Sequence, residues 1–450
     1  MNLRMRLLLL AATLSRGLFA HAAEARSTEA AAGAPPAAER LEWWREARFG
    51  LFIHWGPVSL KGTEIGWSRG GERRGYGSHG TEIPVEVYDN LYQQFNPTNF
   101  NADAWVATAK AAGMKYLVFT SRHHDGFSEF DTHADDYKIT SPESPFRRDV
   151  VKELADACHR AGLRFGLYYS QPNWHHPDAF TDRHTNYLAF LKTQVRELLT
   201  NYGQVDILWF DGLGKSAKDY DAEALNTMAR KLQPRILINN RDGLAEDFDT
   251  PEQEIGKFQY DRPWESCITI CDQWAWKPND QMKSLQQCLH TLVRCAGGDG
   301  NLLLNVGPMP DGRIEPRQVE RLMEMGEWLG RYGETIYGTR GGPWKPTKSL
   351  ASTRKGDTIY LHLLAWKGKT ITLPNIPRKI TRSTALTGGA ARVRQTARKI
   401  SVRVDPAIAY PPDHGAELLR PQDTLRANQP QIDCIVKLEL DGSAMDLDPL

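Results

Sequence analysis

Five short stretches concentrate the side chains able to do polar chemistry: His54-Trp55-Gly56, His123-His124-Asp125-Gly126, Tyr168-Tyr169-Ser170, Trp209-Phe210-Asp211-Gly212 and Asn239-Asn240-Arg241. Each sits at the end of a short apolar run. Asp211 closes Ile207-Leu208-Trp209-Phe210, a run apolar on both faces, which puts its carboxylate at the rim of a dry pocket beside an indole. A carboxylate so placed serves as nucleophile, general base or metal ligand; a plain strand-ending Asp-Gly turn would need none of these roles. His123 and His124 are adjacent and point in different directions along a strand, so both reach one ligand only where the chain is already turning into a loop. His54, His123, His124 and Asp211 would supply enough ligands for a metal-dependent hydrolase, but the usual HxH and HExxH spacings are missing. Imidazoles and indoles around one carboxylate suit a polyhydroxylated ring better, because they hydrogen-bond hydroxyls while packing on C–H faces.

Hydrolysis of a glycoside needs a second carboxyl group to protonate the leaving oxygen. The stretch Glu246-Asp247-Phe248-Asp249-Thr250-Pro251-Glu252-Gln253-Glu254 is the richest source. A solvated loop would look the same, and the residues alone do not choose among its carboxylates.

The elements that must position these groups are legible in the periodicity. Strand candidates are 49–55, 116–120, 165–170, 205–210, 236–240, 267–270 and 302–306, each short, apolar and rich in aromatic or β-branched residues. Helical patterns over 102–112, 150–161, 187–202, 222–232, 285–295 and 319–332 alternate with them, and glycines at 113, 162, 203 and 297 stand near their ends. The alternation requires parallel strands with helical crossovers, and about seven units in about 300 residues predict a (β/α)8-type barrel catalytic domain. Active sites of such barrels lie at the carboxyl ends of the strands, which is where the five stretches fall. Beyond residue 342 the pattern becomes apolar/polar alternation at 358–364, 369–373, 399–404 and 434–440, predicting a C-terminal antiparallel β-sandwich over 343–450.

Composition narrows the partners. In 450 residues, 56 Lys and Arg nearly cancel 55 Asp and Glu, and the net charge of +1 gives no electrostatic reason to expect nucleic acid or anionic lipid. Mean hydropathy of −0.51 fits a globular chain. Residues 1–23, with Arg4, Arg6, the apolar run 7–14 and Ala20-His21-Ala22-Ala23, read as a signal peptide; the run is too short to span a bilayer. Residues 24–40, Ala-rich with Pro35-Pro36, read as a disordered linker, leaving 41–342 for the barrel. Export makes periplasm, medium or lysosome the destination. It also permits disulfides, yet the six cysteines form no CxxC or zinc spacing and read first as free buried thiols, with Cys267–Cys271 or Cys288–Cys295 bridges as the alternative.

Taken in order, Phe49-Gly50-Leu51-Phe52-Ile53-His54-Trp55-Gly56, Gly62-Thr63-Glu64-Ile65-Gly66-Trp67-Ser68, His123-His124-Asp125-Gly126-Phe127, Arg148-Asp149, Trp209-Phe210-Asp211-Gly212 and Gly300-Asn301-Leu302-Leu303-Leu304-Asn305-Val306-Gly307-Pro308 resemble the glycoside hydrolase family 29 α-L-fucosidases. The resemblance runs from about residue 41 to 340. It implies a retaining exo-acting enzyme that releases terminal α-L-fucose from glycans or glycoconjugates through a covalent fucosyl-enzyme, with no metal or organic cofactor. It implies Asp211 as nucleophile, and His54, Glu64, Trp67, His123, His124, Tyr168 and Trp209 as residues holding the fucose hydroxyls and C5 methyl. Arg241 matches an arginine near the acid/base of some members; Glu252 is the choice for that acid/base, with Glu254 second. Many relatives set the glutamate and tryptophan side by side, whereas Ile65-Gly66 here separates Glu64 from Trp67. Trp55, Trp67 and Trp209 are the tryptophans expected at the pocket, and a non-catalytic fucose-binding protein is the remaining alternative.

Overall fold

The computed structural model describes residues 35–71, 83–364, 370–405 and 432–450. The expected signal peptide and residues 24–34 of the expected linker lie outside them. The linker expectation is corrected at its end, because Ala37–Ala47 is a helix with Leu41 and Trp44 buried and Arg40 sealed against Asp247 (2.7 Å).

Seven strands, β1 (Phe49–Ile53), β2 (Tyr116–Arg122), β3 (Arg164–Ser170), β4 (Ile207–Asp211), β5 (Leu237–Ile238), β6 (Glu265–Thr269) and β7 (Asn301–Val306), form one parallel sheet in the order β5-β4-β3-β2-β1-β7-β6. Every strand expected from the apolar runs is present, within a few residues at either end. Helices Ala102–Ala111, Val150–Ala161, His184–Thr200, Ala222–Leu232, Leu285–Gly297 and Pro316–Tyr332 alternate with them. Their ends follow from local chemistry: Asp149 caps the second by accepting the Lys152 amide (2.8 Å), and Gly162 ends it in the left-handed region. Arg148 pairs with Glu153 on the same turn (2.6 Å), so the Arg148-Asp149 motif builds a helix start.

Strand alternation sorts the core into two faces. Phe52, Tyr116, Val118, Tyr168, Ile207, Trp209, Cys267 and Leu303 form an inner cluster, which Trp44 and Phe248 join; Leu51, Ile53, Leu117, Phe119, Leu167, Leu208 and Phe210 pack outward on the helices. Two residues on from Trp209, Asp211 falls on the inner face by the same period. Gly50 shares that face because a Cβ there would sit 2.3 Å from the Tyr116 ring.

Of the expected (β/α)8-type barrel, the described residues show this seven-stranded parallel sheet. Among the described residues no strand joins β5 to β6; residues 248–252 lie between them through single parallel bridges Asn239↔Phe248, Asp249↔Trp264 and Glu252↔Cys267. The reason is local. β5 ends after two residues where Asn240–Asp242 tighten into a 3-10 turn ended by left-handed Gly243, and Pro251 has no amide to donate to a ladder.

The C-terminal region holds two antiparallel sheets. Strands β8 (Arg340–Gly341), β9 (Leu350–Lys355), β10 (Thr358–Leu364), β11 (Ile371–Pro374), β12 (Ile380–Ala385), β13 (Ala390–Gln395), β14 (Lys399–Asp405) and β15 (Asp433–Leu440) assemble as β12-β15-β10-β9-β8 and β11-β14-β13. Both sheets share one apolar cluster that includes Leu361, Leu373, Val402 and Val436, while Ala351, Leu364 and Ile435 pack with the outer cluster of the parallel sheet. Of the strand expected at 369–373, residue 369 lies outside the described residues.

Candidate active site

A pocket opens at the carboxyl ends of the strands, around Asp211. The nucleophile candidate ends β4 on the inner face. Its Oδ2 accepts from the Tyr168 hydroxyl (3.0 Å) and faces His124 Nε2 (3.6 Å), while Oδ1 lies 3.5 Å from Arg241 Nη1. Burial alone would push this carboxyl up, but Arg241, then His124 and the Tyr168 hydroxyl, hold it below its ordinary range. Gly212 lets the next peptide close on Arg241: its amide donates to the Arg241 carbonyl (3.1 Å), and a Cβ would approach that oxygen to 2.5 Å. The 3-10 turn that shortens β5 is thus what carries the arginine to the carboxylate.

His54, His123 and His124 all line the pocket, so both members of the adjacent pair are buried in it. Their rings are 4.2 Å apart, and His123 stacks on Tyr168 (5.4 Å, 8° between planes). Burial drives His54 down to about 3, His124 to about 4 and His123 well below its ordinary value, so the three present neutral imidazoles at neutral pH. Trp209 lies face to face with Tyr168 (5.6 Å, 22°) and under the Arg241 guanidinium (4.7 Å).

The acidic run separates by partner. Glu246 and Asp247 are buried against Arg230 (2.5 and 3.1 Å), and Asp249 pairs with Arg262 (2.8 Å). Glu254 is exposed and outside the pocket lining. Glu252 lines the pocket and pairs with Arg241 Nη1 at 2.8 Å, the same nitrogen that faces Asp211. Its side chain remains 43% exposed to solvent.

Glu64 and Trp67, both expected at the sugar, are parted by Ile65 and left-handed Gly66. Trp67 lines the pocket, its ring 5.6 Å from His124 and 5.1 Å from Trp174. Glu64 turns to the backbone after β6 instead, accepting the Trp274 amide (3.0 Å) and the Ala275 amide (3.1 Å); burial pushes its carboxyl up to about 7. Gly66 is required where it stands, at φ +66° with a virtual Cβ 2.6 Å from His123 Nδ1. Trp55, expected at the pocket, is corrected to a core residue. It stacks on Phe100 (5.6 Å) against Phe95 and Trp105, because it points to the helix face opposite His54.

Trp274 is a pocket residue that reading the sequence missed, its ring 4.8 Å from His54. The strand-end rule applied to the sixth apolar run would have pointed to it. Phe52, Leu213 and Cys267 complete the lining. All six cysteines are free and buried, so neither alternative bridge forms. Asp125 is drawn away to the Tyr88 hydroxyl (2.7 Å). Among the described residues no group of three or more His, Cys, Asp or Glu is arranged to hold a metal ion, so the metal-dependent reading of the histidine cluster has no ligand set.

Comparison with known proteins places this geometry. A family model described as Alpha-L-fucosidase matches residues 19–334. Tissue alpha-L-fucosidase of Bos taurus is 31% identical over 353 residues, covering 72% of this chain and 75% of that protein. Plasma alpha-L-fucosidase of Homo sapiens is 32% identical over 367 residues, covering 72% and 76%. Among solved structures, alpha-L-fucosidase isoenzyme 1 from Paenibacillus thiaminolyticus aligns with a TM-score of 0.75 at 33% identity, over 90% of this chain and all of that one. With the match spanning the parallel sheet and every strand end that lines the pocket, the chain belongs to the alpha-L-fucosidase family of glycoside hydrolases.

Proposed function

We propose that this protein is a retaining exo-α-L-fucosidase in which Asp211 is the nucleophile and Glu252 the acid/base. The observation that carries the residue roles is the sharing of Arg241 Nη1. The nearest Asp211 and Glu252 oxygens can be no farther apart than the sum of 2.8 and 3.5 Å. That limit accommodates the ~5–5.5 Å between the carboxyl groups of a retaining enzyme.

Asp211, ionised, attacks the anomeric carbon as Glu252 gives its proton to the departing oxygen. In the fucosyl-enzyme the negative charge beside Arg241 has passed from Asp211 to Glu252, which then takes a proton from the incoming water as that water attacks the anomeric carbon and Asp211 departs as a carboxylate. Trp67, Trp209 and Trp274 supply apolar faces for the ring and its methyl, and His54, His123, His124 and Tyr168 meet its hydroxyls. Glu64 acts on the sugar through the Trp274 wall. Residues 248–252 serve as the irregular eighth stave that closes the barrel, residues 41–342 are the catalytic unit, and 343–450 form a sandwich against it. No step asks for a metal or organic cofactor.

Proton NMR of the first-formed sugar tests the assignment: α-L-fucose appearing before mutarotation is expected, and β-L-fucose would replace double displacement by single inversion. Residues 1–23 are read as an export signal, in keeping with a relative named for plasma; N-terminal sequencing of the mature protein is expected to begin after Ala23. No helix among the described residues is long and apolar enough to cross a membrane.

A further inference from the structure

The motif Gly300 to Pro308 contributes nothing to the lining of the pocket, yet its Asn305 contacts two residues that do. We propose that Asn305 and Ser170 are positioning residues that lock His54 and His124 as hydrogen-bond acceptors, so that the pocket selects a ligand offering two hydroxyl hydrogens. The inference deepens the reading of this pocket as a fucose site and rests on it.

A neutral imidazole has one N–H and one lone pair, and the partner of one nitrogen fixes which is which. Asn305 Nδ2 lies 2.7 Å from the Trp274 carbonyl oxygen. A carbonyl only accepts, so the amino end of the carboxamide must face it; the flipped amide would set two oxygens together. Asn305 Oδ1 is thereby turned to His54 Nδ1 at 2.7 Å and requires a proton there. His54 is left with a lone pair on Nε2. The Trp274 peptide that orients Asn305 is itself held from its other side, where its amide donates to Glu64 Oε2 (3.0 Å).

Ser170 applies the same rule to His124. Its hydroxyl has one hydrogen, and the Pro172 carbonyl at 2.7 Å takes it. The serine oxygen therefore accepts from His124 Nδ1 (2.6 Å), leaving a lone pair on Nε2, which faces Asp211 Oδ2 across 3.6 Å. Two acceptors across that gap are reconciled by a hydroxyl hydrogen of the ligand. Burial keeps both rings neutral and so preserves the assignment. His123 is different: its buried Nδ1 has no hydrogen-bond partner among the described residues.

Two-bond proton–nitrogen NMR of the full chain labelled with 15N-histidine tests the tautomers in the resting enzyme. The expected result is a pyrrole-type Nδ1 and a pyridine-type Nε2 for both rings, assigned through His54→Gln and His124→Gln. A pyrrole-type Nε2 or a doubly protonated ring at neutral pH at either position overturns the proposal. Asn305→Asp, which still accepts from His54, should keep the pattern, whereas Asn305→Leu and Ser170→Ala should yield mixed tautomers; an unchanged pattern in folded Asn305→Leu also overturns it. As a ligand readout, L-fucose and its monodeoxy and monofluoro analogues are compared as competitive inhibitors. Fluorine accepts but does not donate, so at two ring positions fluoro and deoxy analogues should lose affinity alike, by about tenfold or more. Fluorine restoring affinity at every position overturns the acceptor assignment. No inhibition by fucose itself would overturn the functional reading instead, and the nitrogen spectra would still decide the tautomers.

Discussion

Two buried acids occupy opposite ends of the same sheet interior and meet opposite fates. Asp211, at the carboxyl end of β4, faces the Arg241 cation and is held below its ordinary range despite burial. Glu265, at the start of β6, accepts among the described residues from neutral donors, the Tyr116 hydroxyl and the indoles of Trp209 (3.2 Å) and Trp44 (3.3 Å), and burial pushes it up to about 7. Burial is common to both, so the charge of the partner decides which acid stays ionised. Trp209 touches both systems, its indole nitrogen on Glu265 and its face under Arg241. The lower acid anchors the platform on which the upper one works.

The largest expected effect comes from removing the ionised acid. Asp211→Gly should lower kcat/KM on an aryl fucoside on the order of 10⁴-fold or more, and azide should restore part of the turnover by attacking from the vacated space. Retention of full activity would break the assignment. Next, Glu252→Ala should cost about 10²–10⁴-fold on substrates with poor leaving groups and far less on activated aryl fucosides, with Glu254→Ala close to wild type. The reverse ranking would move the acid/base role to Glu254.

Arg241→Gln sharpens the comparison by making the environment of Asp211 resemble that of Glu265. Activity is lost as pH falls through the folded-state pKa of Asp211, which lies below 3.8 while Arg241 is present. Without the cation, the acid limb of kcat/KM should move up by about one pH unit or more. An unmoved limb would mean that Arg241 does not set the charge of Asp211.

The smallest effect is on stability at the other end. Glu265 keeps its proton in the folded state up to about 7, whereas the unfolded chain releases it near 4.5. Its contribution is intact below 4.5, is lost as pH rises toward 7 and stays lost above. Glu265→Gln has no proton to lose, so its stability relative to wild type should rise over that window, by about 3 kcal/mol at most. Urea midpoints measured from pH 4 to 8 give the difference; a pH-independent offset would show that Glu265 is not protonated in the fold.

Much of this was legible before any coordinates. The short apolar runs located β1 to β4, and the run 207–210, apolar on both faces, put Asp211 at the rim of a pocket; the sorting into inner and outer faces came from the structure. The strand-end rule located the histidines and Tyr168. It failed for Trp55, which shares a tripeptide with His54 but falls on the other face; Glu64, placed at the sugar by the family resemblance alone, turns its carboxylate onto the backbone beyond Ile65 and left-handed Gly66. Strands β9, β12 and β13 also escaped notice, their apolar alternation diluted by arginine, serine and threonine.

The sequence by itself determined the alternating parallel architecture, the end of the sheet where chemistry sits and the carboxylate at its rim, since these depend on local periodicity that each segment carries within it. Only the tertiary structure decided which carboxylate of 246–254 faces Asp211, because Arg230 and Arg40 claim Glu246 and Asp247, Arg262 claims Asp249, and Glu254 stands exposed outside the pocket. It also decided that seven strands pair as a ladder and an irregular segment lies at the seam. The tautomers of the pocket histidines belong to the same class, being set by one carboxamide and one hydroxyl whose partners are fixed by chain crossings that no local pattern encodes.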